Sequence, residues 1–215
     1  MDTVFVIGTI ASGKSTAARY FERLGARRID LDRFAKDLYL PGSELVGELA
    51  AEFGVEVISE DGGIDTKRLA ARAFGTAEST VRLNEIVHPV LRERLAQVLL
   101  PVPCASMAAP RCPFTVVEAS VPAAVRDLFP LADEVLAIVA PLEVRRSRAI
   151  GRGMDPADFD RRAALQPSDE GIAAMATSVI ENTFEDEDGF TGALRRWLLA
   201  RGVAIDADEA AVSHA

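Results

Sequence analysis

A lysine and a serine next to each other at the end of a glycine-flanked loop can hold a polyphosphate. The chain carries this arrangement at Gly8-Thr9-Ile10-Ala11-Ser12-Gly13-Lys14-Ser15-Thr16, which fits G-x-x-x-x-G-K-[ST] directly after the apolar run Val4-Phe5-Val6-Ile7. Gly8 and Gly13 are expected to let the backbone turn tightly, so that several N–H groups point into one concavity. A helix predicted to begin near Gly13 adds its unpaired N–H groups and the positive end of its dipole. Lys14 brings a mobile point charge to the β- and γ-phosphates, and Ser15 offers a hydroxyl to Mg²⁺, a hard cation that prefers oxygen. Ala11, Ser12, Gly13 and Thr16 complete the predicted phosphate cradle. Ala11 stands where many such loops have a further glycine, and its methyl is tolerable at negative φ and awkward at positive φ.

Three further groups could do chemistry with a bound phosphate. Asp30 and Asp32 are two apart, so in an extended segment both side chains point to one face. An aspartate beside a phosphate loop can take a proton from a substrate hydroxyl, and Asp32 also precedes a helical stretch that it could cap. Arg145, Arg146, Arg148 and Arg152 occupy one helical region bounded by Gly151 and Gly153. Positions 148 and 152 share a face. Such a helix suits a lid whose cations meet the spreading charge of a migrating phosphoryl group, and it suits a solvated basic surface equally. His88-Pro89, with Arg92 one turn further on, fits either a structural histidine at a helix break or the lining of an anionic pocket.

The elements that would position these residues alternate strand and helix. Thr3–Ile7, residues 28–32, residues 114–118, residues 134–139 and the pair Val179-Ile180 read as strands. Residues 15–24, 32–38, 43–53, 65–74, 79–87, 89–100, 143–162 and 190–199 read as helical. This rhythm predicts an α/β fold, a parallel sheet flanked by helices with right-handed crossovers. Ligands then bind at the carboxyl ends of the strands. The predicted organisation is one domain over 1–215. Its core takes in about 1–35, 113–142 and 176–202, with a helical acceptor-binding part at about 36–100, an arginine-rich lid at about 143–166 and a tail at 203–215. Residues 101–113 carry four prolines and read as a surface loop.

Composition narrows the partners. The 215 residues are 49% hydrophobic, enough for a packed α/β core, and the net charge is −9. That charge argues against a nonspecific nucleic-acid or membrane surface. The sequence has no uncharged apolar run of about 18 residues, so no membrane span is expected. The start lacks a basic region, which argues against a signal peptide and for a cytoplasmic protein. Cys104 and Cys112 fit no metal spacing and read as free thiols. Oligomeric state is not legible.

Taken in order, these features resemble the dephospho-coenzyme A kinases. The resemblance runs from about Val4 to Leu198. It rests on the phosphate loop, Leu24-Gly25, Ile29-Asp30-Leu31-Asp32, Pro41-Gly42, Phe53-Gly54, Asp61-Gly62, His88-Pro89, the arginine helix, Gln166 and Val179-Ile180-Glu181-Asn182. It implies ATP- and Mg²⁺-dependent phosphorylation of the ribose 3′-hydroxyl of dephospho-coenzyme A. Carried over by position, Lys14 and Ser15 hold the ATP phosphates and Mg²⁺, and Asp32 activates the acceptor hydroxyl. Arg148 reaches the phosphates with Arg152 beside it, His88 and Arg92 fall in the acceptor-binding part, and Asn182 falls where adenine is contacted. The sequence departs from the family pattern on the acceptor side. Pro122-Ala123-Ala124-Val125-Arg126 replaces P-L-L-x-E, Ser120 stands for an acidic residue, Ala176-Thr177 for Ala-Asp, and Arg152-Gly153 for Arg-Asp.

Overall fold

Five short runs of β-branched and apolar residues pair into one all-parallel sheet. The structure, a computed structural model, describes residues 1–99 and 114–204. In chain order it contains β1 (Thr3–Ile7), α1 (Lys14–Arg23), β2 (Arg27–Asp30), α2 (Leu31–Asp37), α3 (Glu44–Phe53), α4 (Thr66–Ala73) and α5 (Ala77–Leu99). It continues with β3 (Thr115–Ala119), β4 (Glu134–Val139), α6 (Leu142–Gly151), α7 (Pro156–Ala164), α8 (Asp169–Ala173), β5 (Ser178–Glu181) and α9 (Glu187–Leu199). The strand order is β2-β3-β1-β4-β5. The predicted Pro-rich loop with Cys104 and Cys112, and most of the predicted tail, lie outside the described residues. No described helix is long and apolar enough to cross a membrane.

The chain divides into two compact units. The first takes in residues 1–30, 114–122 and 129–204, and the second 31–99 and 123–128. In the first unit every residue of β1 is buried, because both faces of a parallel sheet are covered. Val4 and Val6 join Leu136 and Ile138 under α1 and α9, where Phe21 packs against Trp197 at 5.9 Å and Phe114 at 5.6 Å. On the opposite face Phe5 meets Phe129 at 5.1 Å. Because all strands run the same way, their carboxyl ends lie along one edge. Register sets Glu118 beside both Asp30 and Val6 there.

The second unit is helical. Ser43 caps α3 by accepting the Leu45 N–H, and Asp65 caps α4 by accepting from Lys67 and Arg68. Leu45, Leu49, Phe53, Leu69, Leu83 and Val87 form its core.

Two local expectations are corrected. His88-Pro89 does not break a helix: α5 is continuous from Ala77 to Leu99 with Pro89 inside it. A mid-helix proline costs about 3 kcal/mol through a lost hydrogen bond and a ring clash. Here Leu83, Val87, Leu91 and Leu95 are all buried at four-residue spacing, and their packing outweighs that cost. Asp30 and Asp32 do not share a strand face either, since β2 ends at Asp30 and Asp32 lies in the first turn of α2. Gly8 has a further role in the loop. A Cβ there would stand 2.5 Å from both the Ile138 carbonyl oxygen and Ser12 Oγ, so Gly8 is required for space.

Burial of Phe21 is complete. The Phe21→Ala variant is expected to lose about 3–5 kcal/mol of stability, measured as a lower midpoint in urea unfolding monitored by Trp197 fluorescence.

Candidate active site

The loop joining β1 to α1 presents an open helix end. Gly13 is the N-cap of α1, at φ 110°, and no side chain caps it; the first turn holds no acidic residue. The leading N–H groups and the positive dipole end are therefore not neutralised from within the helix, which suits an anion. Ser12 is fully buried, and its Oγ has no hydrogen-bond partner among the described residues. Ala11 lies at φ 61°, the one non-glycine residue at positive φ among those described. That conformation costs roughly 1–2 kcal/mol for a residue with a Cβ, so the surroundings must hold it.

Asn182 is the main brace. It follows β5, and its backbone N–H bonds the Val139 carbonyl at 2.7 Å. Its buried amide donates to the Ser12 carbonyl at 2.9 Å and accepts from Arg148 Nη2 at 3.2 Å. Gly13 must lack a side chain for this contact, because a Cβ would clash with Asn182 Nδ2. Arg148 also donates to the carbonyls of Asn182 and Phe184, at 3.1 and 3.0 Å. Burial, and then the charge of Arg152, lower the Arg148 pKa from its ordinary value. Ala11, Gly13, Thr16, Arg148, Arg152 and Phe184 line a cleft of about 180 Å³ over the helix end.

The four arginines of the basic run have separate surroundings. Arg145 is buried and donates Nε to the Ala140 carbonyl at 2.8 Å, and Arg146 pairs with Asp160 at 3.0 Å on the surface. Arg148 and Arg152 reach the cleft.

Sequence reasoning missed Glu118. This carboxylate, only 5% exposed, ends β3 and accepts the Ser15 hydroxyl hydrogen bond. Its other oxygen accepts from Arg28 Nη2 at 2.7 Å and Nε at 3.2 Å. Arg28 further pairs with Asp30 at 3.4 Å and Glu22 at 3.5 Å. Burial works against the Arg28 charge, but the Glu118 hydrogen bond and the surrounding carboxylates raise its pKa. A carboxylate closing a β-branched run, in a strand adjacent to the one before the phosphate loop, was the available signal. Ser15 and Glu118 form an oxygen set suited to Mg²⁺. Among the described residues no group of three or more His, Cys, Asp or Glu side chains could hold a metal alone. A cation here would therefore share its coordination with phosphate oxygens and water.

In the second unit Asp32 occupies the first turn of α2. His88 and Arg92 stand one turn apart on α5 and, with Asn84, line an open depression of about 390 Å³. Arg92 pairs loosely with Asp127 at 3.7 Å. Burial, and then the Arg92 charge, lower the His88 pKa, which keeps the ring neutral at neutral pH.

A family model described as dephospho-CoA kinase matches residues 3–188. The dephospho-CoA kinase of Mycolicibacterium paratuberculosis is 36% identical over 177 residues, 82% of this chain and 42% of that protein. The chain thus spans less than half the length of the mycobacterial relatives it matches. The dephospho-CoA kinase of Aquifex aeolicus is 30% identical over 190 residues, 88% of this chain and 93% of that protein. Among solved structures, TT1252 from Thermus thermophilus aligns with a TM-score of 0.67 at 28% identity, covering 93% of this chain and 95% of that one. Shikimate kinase from Acinetobacter baumannii aligns with a TM-score of 0.53 at 14% identity over 95% of this chain and 96% of its own, a likeness of fold alone. The sheet order, the open end of α1 and a family match that runs through the phosphate loop, Asp32, His88, the arginine run and Asn182 lead to one assignment: this chain belongs to the dephospho-CoA kinase family.

Proposed function

We propose that the protein transfers the γ-phosphoryl group of ATP to the ribose 3′-hydroxyl of dephospho-coenzyme A. The observation that carries this reading is the family match over residues 3–188, which includes the uncapped end of α1 and the Ser15–Glu118 pair. The same reading sets the reaction in the cytoplasm, on the strength of the family alone.

In this reading the first unit binds the donor. The N–H groups at the start of α1, with Lys14, receive the β- and γ-phosphates, within a cradle made by Ala11, Ser12, Gly13 and Thr16. Ser15 and Glu118 would hold Mg²⁺ with the nucleotide, and the ion supplies neutralisation of the charge on the β- and γ-oxygens. Arg152 and Arg148 meet the phosphates from α6 and its end. The present partners of Arg148 are neutral oxygens, whereas a phosphate adds a full counter-charge and can take the guanidinium fork with two oxygens. The triphosphate therefore draws Arg148 away from Asn182 and Phe184. Asn182 lines the cleft on the side assigned to adenine and also braces the phosphate loop.

The second unit supplies the acceptor side. Asp32 takes the proton of the attacking hydroxyl as the new O–P bond forms and the bond from the γ-phosphorus to the β–γ bridging oxygen breaks, ADP leaving with that electron pair. His88, neutral and half-buried, offers a hydrogen bond, and Arg92 offers a cation to an anionic part of the acceptor.

Incubation with ATP, Mg²⁺ and dephospho-coenzyme A should yield ADP and a product heavier by one phosphate, identified by mass spectrometry. Phosphorylation of a nucleoside panel with dephospho-coenzyme A left untouched would overturn the acceptor assignment. Lys14→Ala is expected to abolish turnover, and Asp32→Asn to lower kcat by about 10²–10⁴-fold, the range for loss of a general base. Near-native turnover of Asp32→Asn would remove Asp32 from that role. Glu118→Gln keeps an acceptor for Ser15 but loses the charge. It should raise the Mg²⁺ concentration for half-maximal rate by about tenfold or more, read from a Mg²⁺ titration of the initial rate.

A further inference from the structure

Two side chains with no part in the reaction just described reach the first half of the phosphate loop from the segment that follows α7. Gln166 Oε1 accepts the Ile10 N–H at 2.7 Å. Asp169 Oδ1 accepts from Thr9 Oγ1 at 3.4 Å and lies 3.6 Å from the guanidinium of Arg145. Arg145 is itself buried and fixed to the Ala140 carbonyl, just beyond β4. Residues 9 and 10 of the loop are thus tied to residues 166–169, and those in turn to the end of the neighbouring strand.

The position of the Gln166 contact matters because of the next residue. Ala11 sits at φ 61°, a conformation that an alanine does not hold by its own preference. It is bracketed by two side-chain amides. Upstream, Gln166 fixes the Ile10 N–H, and downstream Asn182 fixes the Ser12 carbonyl. With a glycine at position 11 the backbone would reach positive φ without a penalty, and the upstream brace would have less to do. The Ile10 N–H is thus committed to Gln166.

We propose that Gln166 is a positioning residue for the nucleotide phosphates. By accepting the Ile10 N–H it keeps Ala11 left-handed and holds the loop in the shape that receives ATP. Through Gln166 and Asp169, the chain that links α7 to α8 becomes a strap on the phosphate loop. The proposal rests on the nucleotide-binding half of the function above and is independent of which hydroxyl compound is the acceptor.

Gln166→Met keeps the length of the side chain and removes the strong acceptor; Gln166→Leu is a second variant with the same loss. In calorimetric titration of the full chain with MgATP, either variant should bind about two- to tenfold more weakly, the range set by one hydrogen bond. The KM for ATP should rise by the same factor while the KM for the acceptor stays unchanged, a split that general destabilisation would not produce. In an Ala11→Gly background the loss caused by Gln166→Met should shrink to about twofold or less, since coupled positions are not additive. Unchanged MgATP affinity in both variants would overturn the proposal, and so would an equal fold-loss in the native and Ala11→Gly backgrounds. If the native chain binds MgATP but leaves dephospho-coenzyme A unmodified, the acceptor assignment fails while these titrations still decide the role of Gln166.

Discussion

An uncapped helix N-terminus is the constraint on which the first unit depends. Several N–H groups of α1, and the positive end of its dipole, are kept without a side-chain cap so that an anion can take that place. A loop shaped for a ligand is poorly shaped for itself. It carries a left-handed alanine and a buried hydroxyl with no partner among the described residues. The rest of the unit offsets this from outside the loop. Gly8 gives up its side chain so that Ser12 and the β4 backbone can approach, Asn182 holds the Ser12 carbonyl, and Gln166 holds the Ile10 N–H. Asn182 follows β5 and Gln166 follows α7, both distant in sequence from the loop. Strain at a functional loop is sustained by an over-determined scaffold, and here the parallel sheet supplies it by bringing the strand ends to one edge.

Electrostatics at that edge follow the same pattern. Glu118 is almost fully buried, which is costly for a carboxylate unless it is paired. Its two oxygens are divided, one taking the Ser15 hydroxyl and the other the Arg28 guanidinium. The division fixes the rotamer of Ser15, the residue proposed to meet Mg²⁺. Arg28 comes from β2, an edge strand, and its three carboxylate neighbours keep it in place. The departures from the family pattern at Ser120 and over residues 122–126 leave this group intact, since its acid is the strand-end Glu118.

The helical unit solves a different problem. In the proposed reading it presents His88 and Arg92 to the acceptor, and α5 carries both on one continuous helix although Pro89 lies between them. The apolar residues at 83, 87, 91 and 95 pin the helix on both sides of the proline. The two polar residues therefore stand one turn apart on a single continuous rod. A break at that point, as the His-Pro pair suggested, would have separated them. Tertiary burial overrode the local signal because four packed aliphatic side chains are worth more than one lost backbone hydrogen bond.

The sequence by itself determined the phosphate loop, the order of strands and helices, the all-parallel architecture and the family. These follow from short-range features: a motif, apolar periodicity and caps such as Ser43 and Asp65 that act within a few residues. Only the tertiary structure decided which distant groups share a site with the loop. Glu118, Gln166 and the bracing role of Asn182 depend on strand register and on contacts spanning 103, 156 and 170 residues. It likewise decided that Asp32 lies in the first turn of a helix and does not extend a strand with Asp30, and that Gly8 is required for space. The physical reason is that side-chain type and spacing encode local conformation. The neighbour across a sheet, by contrast, is set by which strands pair and in what register, and that depends on the packing of the whole unit.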